Sequence, residues 1–430
     1  MVEHPNVVCP FCGCLCDDLS ITVEGNRIIK TKNACAISQS KFMNHEKNRI
    51  DAPTVEGNPV SLDEAVEASA KILASAKRPL VYGLSSTECG AIAKAIELTE
   101  LLGGVIDNTS SVCHGPTILA LQAVGEVKTT LGEVKNRADL IIFWGSNPTE
   151  AHLRHLTRYS GTVKGLWRPE GRKGRYIVAV DVRETKMSRL SDLFLKIEPN
   201  GDYELLSALR AAVRGAKIQA EAVAGVPRKQ IAELADRMKA ARMGVIFYGL
   251  GLTQSDGRHL NVDAAVGLVE GLNHHTKFVL MPMRGHYNVS GANAVTAWQT
   301  GYPFAVDFSR GYPRYNPGEY TAVDLLSGGE ADAALVIASD PAANFPAEAA
   351  KHLAKIPVIT LDTKMNMTTM LSRIVIPVAM TGIEAEGTAY RMDDVPIRLR
   401  KVIEPPEGLK TDAEVIQKII DGVKAMKGGM

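Results

Sequence analysis

The sequence predicts an α/β protein that consists of a small cysteine-rich head followed by two doubly wound parallel-sheet domains. Three observations predict this class. Four of the seven cysteines lie close together near the N-terminus, between positions 9 and 16. From position 62 onward, short apolar strands alternate with helical stretches, which favours parallel sheets covered by helices. An imperfect internal repeat then indicates more than one such sheet.

The head is predicted to span residues 1–52. Residues 19–29 within it alternate apolar and polar side chains on both sides of a central Gly25-Asn26. Alternation on both sides of such a turn dipeptide is typical of a β-hairpin.

The first α/β elements follow the head directly. Ser61 and Glu64 can form a capping box at the start of a helix that ends near residue 76. Residues 78–83 are predicted to form a buried strand. A helix from about residue 88 to residue 102 comes next, and Gly103 ends it. The later strands are expected at 140–144, 176–180, 245–248, 277–281, 334–338 and 358–361.

The internal repeat has two copies with the same turn chemistry. Each copy is a strand ending in a small-polar-Pro turn, a strand ending in Asp, and a short apolar strand ending in Pro. The copies occupy positions 141–148, 178–185 and 193–199, and positions 336–341, 358–364 and 374–377. The repeat predicts two similar nucleotide-sized cradles, although any two βαβ units share part of this pattern.

These patterns divide the chain into domains. The first α/β domain is predicted to combine two separate segments, with the second domain inserted between them. A helix at 412–427 is expected in a C-terminal arm. The predicted ranges are 1–52 for the head, 53–106 with 295–395 for the first domain, 107–294 for the second domain and 396–430 for the arm.

Composition and charge exclude several classes of function. The 430 residues are 45% hydrophobic and 23% charged, and the formal net charge is +1. So balanced a charge indicates neither a nucleic-acid-binding surface nor contact with an anionic membrane. No apolar run reaches the roughly 20 residues that span a bilayer, and no secretory signal is visible. We expect a cytoplasmic protein that binds no nucleic acid and does not insert into a membrane.

The cysteines of the head have the spacing Cys9-x2-Cys12-x3-Cys16-x18-Cys35. Clustered thiols in a reducing compartment indicate metal or cluster ligands rather than disulfides. Two close thiolates, a third nearby and a distant fourth suit a 4Fe–4S cluster. Zinc is the alternative, but zinc ribbons usually pair two C-x2-C knuckles, and the second knuckle is missing. Cys14 lies inside the x3 gap and is the expected non-ligand.

Two polar turns carry further candidates. Cys113 and His114 stand in an irregular turn before a helix predicted at 117–124, where the helix dipole would stabilise a thiolate that binds a soft metal. His114 offers a proton donor or acceptor beside it. Arg284 follows a strand, where α/β sheets usually bind ligands, and its guanidinium can hold a carboxylate. Alone, each residue also fits a structural role, and Cys89 is expected to pack as a small hydrophobe in a helix.

Together these motifs resemble the molybdopterin oxidoreductase superfamily, which includes the formate dehydrogenases. The resemblance covers about residues 7–400. Each motif alone is weak, whereas all of them in the order of the family are specific. After the cysteine head the motifs are Val112-Cys-His-Gly-Pro116, Gly145-Ser-Asn-Pro148, Asp181-Val-Arg-Glu-Thr185 with Asn200-Gly-Asp202, Gly249-Leu-Gly-Leu-Thr-Gln254, Arg284-Gly-His-Tyr-Asn-Val-Ser-Gly291 and Glu386-Gly-Thr388.

The resemblance implies roles for particular residues. Formate-active members carry cysteine or selenocysteine before His, and an Arg in an Arg-Gly-x-x-Asn-Val-x-Gly turn. This implies that Cys113 ligates tungsten or molybdenum, that Arg284 orients the carboxylate and that His114 assists hydride or proton movement. Two molybdopterin guanine dinucleotides would hold the metal, which fits the repeated cradle. The implied cofactor contacts are Gly145, Ser146, Asn147, Asp181, Arg183, Thr185, Gly201, Asp202, Gly249, Gly251, Gly285, Asp340, Pro341, Asp362, Gly387 and Thr388.

More narrowly, the head and the short length resemble the B subunits of formylmethanofuran dehydrogenases. Such a subunit reduces carbon dioxide to formate, reversibly, with electrons from its 4Fe–4S cluster, in the first step of methanogenesis. Longer members of the superfamily continue into a C-terminal barrel that covers the pterins, so the resemblance implies that a partner subunit supplies this cover. The other implied partners are an amidohydrolase-like subunit that joins formate to the methanofuran amine, and a polyferredoxin or another electron-donor subunit.

The sequence departs from its relatives at two positions. Where relatives often carry a lysine between cluster and pterin, this chain has Ile37, and Lys41 is the nearest lysine on that side. The usual His-Pro after the Gly-Asn-Pro turn is His152-Leu153. Both departures concern contacts with the cofactors.

Two alternative functions stay open, as does the choice of metal. The enzyme alternative is the catalytic subunit of a stand-alone formate dehydrogenase. The non-catalytic alternative is a scaffold subunit of a formyltransferase/hydrolase complex, but a scaffold has no need for Cys113-His114 or for four cluster thiols. Tungsten and molybdenum take the same dithiolene and thiolate ligands, so the sequence does not choose between them.

Overall fold

A computed structural model describes residues 1–428 of the chain. Its strands are β1 (Val2–Val7), β2 (Leu19–Glu24), β3 (Arg27–Lys32), β4 (Thr54–Val55), β5 (Asn58–Pro59), β6 (Pro79–Gly83), β7 (Val105–Asn108), β8 (Leu140–Trp144), β9 (Tyr176–Asp181), β10 (Leu193–Lys196), β11 (Ala222–Val223), β12 (Val226–Pro227), β13 (Met243–Tyr248), β14 (Lys277–Pro282), β15 (Val306–Asp307), β16 (Arg314–Tyr315), β17 (Ala333–Ile337), β18 (Val358–Asp362), β19 (Ile374–Pro377), β20 (Gly387–Tyr390) and β21 (Pro396–Leu399). Its helices are α1 (Ala36–Met43), α2 (Leu62–Ser75), α3 (Cys89–Leu102), α4 (Gly115–Val124), α5 (Leu131–Arg137), α6 (Pro148–Ala151), α7 (His155–Arg158), α8 (Lys186–Leu190), α9 (Asp202–Val213), α10 (Arg228–Ala240), α11 (Leu250–Thr253), α12 (His259–Leu272), α13 (Val289–Thr300), α14 (Ala322–Ser327), α15 (Pro341–Asn344), α16 (Ala347–Leu353), α17 (Met367–Leu371) and α18 (Asp412–Gly428).

The chain divides into two compact units. The first comprises residues 1–112, residues 286–391 and the chain from residue 396 on, and the second comprises residues 113–285 with the short segment 392–395. The predicted second domain, 107–294, is wider than the second unit at both ends. At the C-terminal boundary the reason is packing, because α13 contributes buried side chains to the core of the first unit.

The first unit is built on a nine-stranded sheet with the order β16-β15-β7-β6-β17-β18-β19-β4-β5. The five strands from β7 to β19 are parallel, and two-residue strands pair antiparallel at both edges. Helix α18 packs against α2 and α3 and buries five apolar side chains in the core of this unit. The C-terminal helix therefore completes this core and does not extend from it as an arm. Those five side chains are Val415, Ile416, Ile419, Ile420 and Val423.

Local sequence signals explain how several of these elements begin and end. Ser61 and Glu64 form the predicted capping box at the start of α2. Helix α3 ends at Gly103, whose φ of 67° lies in the left-handed region that glycine adopts without strain. The predicted hairpin is confirmed as β2 and β3, and β1 adds a third antiparallel strand to it.

The second unit is built on a five-stranded, fully parallel sheet with the order β10-β9-β8-β13-β14. Its largest fully buried side chains include Trp144 and Tyr248, at the carboxyl ends of β8 and β13. The structure confirms the strands predicted at 78–83, 140–144, 176–180, 245–248, 277–281, 334–338 and 358–361, whereas β7 and the two-residue strands were not predicted. All five sheets within residues 1–428 are open.

The internal repeat is confirmed in the strand order. Reading across each sheet, β10-β9-β8-β13-β14 of the second unit corresponds to β19-β18-β17-β6-β7 of the first. In each copy the helix after the first strand starts with a proline, Pro148 or Pro341, and the helix after the second strand starts with a capping box, at Thr185 or Asn366. The two sheets thus share one topology. In the second unit the three strands β8 to β10 precede the other two in the chain, whereas in the first unit the two strands β6 and β7 precede the other three.

Each sheet therefore has one switch point, where the chain connections leave in opposite directions. It lies between β8 and β13 in the second unit, and between β17 and β6 in the first. Ligands of open α/β sheets bind in the crevice outside the carboxyl ends of the strands at such a point.

The helices give one further finding. Within the part of the chain that the structure describes, every helix is too short or too polar to cross a lipid bilayer.

Candidate active site

Cys113 and His114 lie immediately before the body of α4, with His114 at the N-cap position. The Cys113 carbonyl accepts hydrogen bonds from Thr253 Oγ1 (3.1 Å) and Gln254 Nε2 (3.2 Å). The turn that follows β13 thus fixes the backbone of Cys113. The Cys113 side chain is partly exposed, so its thiol stays accessible to a ligand.

The His114 ring is completely buried and neutral. Its Nδ1 lies 3.0 Å from Thr117 Oγ1, and the edge of the Tyr248 ring packs against it with the centroids 6.0 Å apart. Burial, assisted by the positive charge of Arg284, lowers the His114 pKa to about 3 and outweighs the opposite effect of the Met283 carbonyl. His114 Nε2 is buried without a hydrogen bond of standard geometry.

Arg284 follows β14 and is only 5% exposed. Its backbone carbonyl accepts a hydrogen bond from His152 Nε2 (2.8 Å). His152 stands where relatives carry His-Pro, and it therefore anchors the turn that presents Arg284. Burial raises the pKa of the Cys113 thiol to about 11, and the Arg284 guanidinium acts in the opposite direction. The second unit thus brings Cys113, His114 and Arg284 within electrostatic reach of one another.

A cleft of about 240 Å³ lies at the switch point of the second unit. Two glycine-containing turns line it, together with carboxylates at the end of β9 and at the start of α9. Among the predicted contacts, the structure brings four to this cleft, and Asn200, Gln254 and Ser255 join them there. The four predicted residues are Gly145, Asp181, Asp202 and Gly251.

Glycine is required where the two turns meet. Gly145 has a φ of +53°, and a Cβ at this position would lie 2.7 Å from Gly251 Cα. A Cβ on Gly249 would lie 2.6 Å from the Gly145 carbonyl oxygen, which accepts a hydrogen bond from the Gly251 N–H (3.0 Å). The backbones therefore touch directly and leave main-chain groups beside the cleft.

We expect Gly145→Ala to lower the free energy of unfolding by about 1–3 kcal/mol, because the added methyl group meets backbone atoms that have no room to move. Urea unfolding followed by circular dichroism measures this change. Gly132→Ala in α5 is the matched control, since its Cβ would lie at an ordinary 3.6 Å from Thr130 Oγ1. Equal stability of the two variants would contradict the steric argument.

The two carboxylates of the cleft differ in the hydrogen bonds that they accept from the protein. Asp202 Oδ1 accepts a hydrogen bond from Trp144 Nε1 (2.6 Å), and burial raises the Asp202 pKa. Asp181 Oδ1 accepts only a long hydrogen bond from the Arg183 N–H (3.4 Å). Thr185 caps α8, and Gly201 is the N-cap of α9. Asp181 therefore has more remaining acceptor capacity than Asp202.

Asn147 and its neighbours continue the turn after β8. Asn147 is the N-cap of α6, and its Nδ2 is buried without a hydrogen bond. A buried amide donor that lacks a partner within the protein suits an acceptor supplied by a ligand. Ser146 lies between Gly145 and Asn147 in the same turn and is partly exposed.

In the first unit, two predicted carboxylates hold turns together. Asp340 Oδ1 accepts hydrogen bonds from the Thr368 N–H (2.9 Å) and hydroxyl (2.7 Å). Asp362 accepts from the Thr363 N–H (2.6 Å) and from Asn366 Nδ2 (2.9 Å), and burial raises its pKa to about 6. Both carboxylates therefore have a structural task at the ends of β17 and β18.

Gly83, at the switch point of the first unit, was not among the predicted contacts. Its φ is +118°, and a Cβ there would lie 2.1 Å from the Ile337 carbonyl oxygen. Gly83 is thus the counterpart of the glycines in the second unit. Gly387 and Thr388 begin β20, with Gly387 close to the Glu88 side chain, whereas Gly285 has open space around it.

The head brings its cysteines together through the backbone and through Ser38. The Cys9 N–H donates to the Cys16 carbonyl (2.9 Å). Cys35 caps α1, where its Sγ accepts from the Ser38 N–H (3.4 Å), and Ser38 Oγ accepts from the Cys9 thiol (3.3 Å). Cys35 is therefore adjacent to the other thiols despite its distance in sequence.

The electrostatics separate Cys14 from its neighbours. The Cys14 thiol donates to Cys12 and Cys16, which together with burial holds the Cys14 pKa well above its usual range. The same hydrogen bond, assisted by the charge of Lys41, lowers the Cys12 pKa. Burial raises the Cys9 pKa, an effect that iron coordination would reverse. Since ligands bind as thiolates, Cys14 fits the predicted non-ligand.

Two other cysteine and metal observations complete the description. Cys89 begins α3 and packs against the core of the first unit, as predicted. Among residues 1–428, no three side chains of His, Cys, Asp or Glu are arranged as ligands of a single metal ion.

Known proteins resemble the chain over nearly all of its length. The molybdopterin oxidoreductase family matches residues 49–421. The B subunit of the tungsten-containing formylmethanofuran dehydrogenase 2 of Methanocaldococcus jannaschii is 54% identical over 428 residues, which are 98% of this chain and 98% of that protein.

Solved structures give the same result at the level of the fold. A chain in the crystal structure of the formyltransferase/hydrolase complex of Methylorubrum extorquens with methylofuran has a TM-score of 0.73 and 26% identity, over 88% of this chain and all of that one. Acetylene hydratase from Pelobacter acetylenicus has a TM-score of 0.75 at 13% identity, over 99% of this chain and 70% of that one. These likenesses and the two parallel sheets confirm the predicted fold class.

Proposed function

The chain belongs to the molybdopterin oxidoreductase family, among the B subunits of formylmethanofuran dehydrogenases, and we propose that its active site interconverts carbon dioxide and formate. One observation carries the proposal. The second unit brings the Cys113 thiol, the neutral His114 ring and the buried Arg284 guanidinium together from two separate turns. A soft metal ligand, a proton carrier and a carboxylate-binding cation are the three groups that this reaction requires of the protein.

Cys113 is the residue that would hold the metal. Tungsten or molybdenum, bound by Cys113 and by two molybdopterin guanine dinucleotides, would supply the two-electron chemistry. The hydrogen bonds of Thr253 and Gln254 to the Cys113 carbonyl restrict how far the thiol can move. The positive charge of Arg284 favours the thiolate form that a metal needs.

Arg284 and His114 would act on the substrate. The guanidinium of Arg284 presents parallel N–H donors that match both oxygens of formate, and its burial strengthens that interaction. His114 is neutral, so one of its ring nitrogens can donate a proton in a hydrogen bond while the other accepts one. Arg284 therefore orients the carboxylate while His114 carries the proton that formate loses or gains.

The two switch points are the proposed sites of the pterin nucleotides. In the second unit, main-chain groups beside Gly145 and Gly251 would approach the phosphates, and Asp181 would accept from guanine N–H groups or ribose hydroxyls. Asn147 Nδ2 is a donor without a partner in the protein. In the first unit, the turn at Gly83 occupies the corresponding position. The other predicted contacts are proposed on the family resemblance alone.

Cys9, Cys12, Cys16 and Cys35 would hold a 4Fe–4S cluster through which electrons enter or leave. Three close thiols and a distant fourth, without a second C-x2-C pair, fit a 4Fe–4S cluster better than a structural zinc site. Lys41 stands on α1 with its Nζ 5.2 Å from the centre of the Phe11 ring, and its charge reaches Cys12. Lys41 is therefore the candidate for the missing relay lysine.

The proposed physiological reaction needs partner subunits. We infer that one subunit covers the pterins, that an amidohydrolase-like subunit joins formate to the methanofuran amine, and that a polyferredoxin or similar subunit supplies electrons in the cytoplasm. The likeness to a formylmethanofuran dehydrogenase subunit supports this assignment. The alternative of a stand-alone formate dehydrogenase predicts NAD or a deazaflavin as the acceptor instead.

The test is the composition and activity of the complex purified with its partner subunits. We expect tungsten or molybdenum together with iron and guanine nucleotide, and formate oxidation with a viologen dye as electron acceptor. Mass spectrometry of metals and a spectrophotometric assay measure these. Zinc as the sole metal, or a complex without metal that still transfers formyl groups, would overturn the proposal in favour of a scaffold.

A further inference from the structure

We propose that His152 is a positioning residue for formate binding, because its side chain holds the turn that presents the Arg284 guanidinium. The inference rests on the proposed function, since it assumes that Arg284 binds the carboxylate. It makes the loop after β8 a part of the substrate site that acts only through Arg284.

The turn at Arg284 lies where the chain is about to leave the second unit, whose main segment ends at residue 285. Gly285 is exposed, and a Cβ on it would meet open space, so packing does not restrain this side of the turn. On the other side, the Met283 N–H donates to the Tyr248 carbonyl (2.8 Å) and ties the end of β14 to β13. The bond from His152 is the next restraint along the chain, and it acts on Arg284 itself.

The His152 ring is 3% exposed, and its tautomer follows from its hydrogen-bond partner. Burial lowers the His152 pKa, so the ring is neutral. A carbonyl oxygen only accepts, so Nε2 carries the ring hydrogen and donates it to the Arg284 carbonyl over 2.8 Å. Nδ1 is then an acceptor, and no donor reaches it within residues 1–428. In this part of the chain, the bond to Arg284 is therefore the one hydrogen bond of the ring.

Such a ring is an unfavourable choice for packing alone. A buried nitrogen that lacks a donor destabilises the folded state, and an apolar side chain of similar volume would avoid this penalty. An apolar side chain would not hold the Arg284 carbonyl, however. The bond to the turn is thus the property of His152 that packing does not explain.

His152 is itself held on both sides along the chain. It is the C-cap residue of α6, and its N–H donates to the Pro148 carbonyl (3.0 Å). Its own carbonyl accepts from the His155 N–H (2.7 Å). His155 is completely buried and packs edge-on against the Phe247 ring, with the centroids 4.6 Å apart. His152 therefore reaches Arg284 from a loop that has little freedom to move.

This contact spans one strand of the sheet. Strand β13 lies between β8 and β14, so a side chain from the loop after β8 restrains the turn after β14. The same loop starts at Gly145, which lines the cleft, and continues through Asn147 at the start of α6. The position of Arg284 thus depends on the loop that also forms part of the cleft.

The first test compares His152→Met with His152→Gln in the purified complex. Methionine offers no donor, so KM for formate should rise about 3- to 10-fold, as for one lost hydrogen bond, while kcat changes less than about twofold. Glutamine places an amide N–H near the position of Nε2 and should restore most of the affinity. Steady-state kinetics with varied formate and a viologen acceptor measure both constants.

His352→Met is the matched control, because His352 Nε2 makes the same kind of bond in the first unit, 2.8 Å from the Ala331 carbonyl. It should leave KM for formate unchanged. Should His152→Met fail to assemble, His152→Asn replaces it, since asparagine keeps the amide but is one methylene shorter and does not reach the Arg284 carbonyl. Equal KM values for His152→Gln and the variant without the bond would overturn the proposal.

The second test is a double-mutant cycle of His152 and Arg284. In the Arg284→Ala background, adding His152→Met should not lower kcat/KM for formate any further, because no guanidinium is left to misplace. A merely structural role of His152 would lower kcat/KM by the same factor in both backgrounds. Such additivity would contradict a role that acts through Arg284.

The third test does not depend on turnover. Hydrogen exchange followed by mass spectrometry should show faster exchange of the backbone amides at 283–285 in His152→Met, and unchanged exchange there in His152→Gln and His352→Met. Exchange in His152→Met that equals that of the unmodified complex would overturn the restraint. If the unmodified complex itself fails to oxidise formate, the proposed function fails, whereas the exchange result still decides whether His152 holds the turn.

Discussion

Cys113→Ala is expected to abolish the interconversion of carbon dioxide and formate while formyl transfer from added formate continues. Alanine offers no donor to tungsten or molybdenum, and loss of a correctly held metal removes several kcal/mol of transition-state stabilisation, which corresponds to about 10³-fold or more in rate. The Cys113 backbone should keep its position, because Thr253 and Gln254 bind its carbonyl and not its side chain. Formate oxidation with a viologen acceptor and formyl transfer are measured on the same complex.

A second cysteine supplies the control for this experiment. Cys89→Ala changes a partly buried thiol at the start of α3, in the first unit, and should leave formate oxidation unchanged. Cys113→Ser should retain more metal than Cys113→Ala, since an alkoxide is a harder and weaker ligand than a thiolate. Full activity of Cys113→Ala would remove this residue from its proposed role.

Arg284→Ala is expected to lower kcat/KM for formate about 10- to 100-fold. A hydrogen bond to a charged group contributes about 1.5–3 kcal/mol, and this one would be formed in a buried site. The side chain is 5% exposed, and the turn that carries it is held by the His152 hydrogen bond to its backbone, which the substitution leaves in place. Steady-state kinetics with varied formate, at saturating viologen, measure the effect.

Arg284→Lys distinguishes charge from shape in the same assay. Lysine keeps the positive charge but loses the planar fork of donors, so kcat/KM should lie between the values of the unmodified protein and Arg284→Ala. Arg189→Ala on the exposed side of α8 is the control for loss of one cationic side chain in this unit. An unchanged kcat/KM in Arg284→Ala would mean that formate binds elsewhere.

Local patterns were sufficient to predict most of the secondary structure. The capping box of Ser61 and Glu64 and the glycine after α3 are recognised from one or two residues each, and the structure has both. The repeat was visible because its proline turns and aspartate-ended strands recur in order. The neighbours in each sheet were not predictable in this way, since the pairing of β8 with β13 depends on long-range packing. Two-residue edge strands carry too few side chains to show any periodicity.

The same distinction holds for the candidate site. Cys113, His114 and Arg284 are predicted by motif, because each stands in a turn with unusual residues. Tyr248 was predicted only as the end of the strand at 245–248. The contact between the Tyr248 and His114 rings exists only in three dimensions, since β13 brings Tyr248 to the start of α4. A tyrosine at the carboxyl end of a buried strand is the one sequence signal that could have indicated this contact.

The insertion of the second unit into the first imposes an order on synthesis. All strands of the inserted sheet lie between residues 140 and 282, so this sheet can close while the ribosome is still making the rest. The outer sheet cannot, because the chain beside β6 is tied to the chain before β17 by a contact between Lys77 and Asp332, 255 positions apart. Until β17 emerges, the apolar edge of β6 has no partner, and nascent chains are exposed to aggregation. The order of the strands in the chain therefore sets the interval of synthesis during which one edge of β6 stays unpaired.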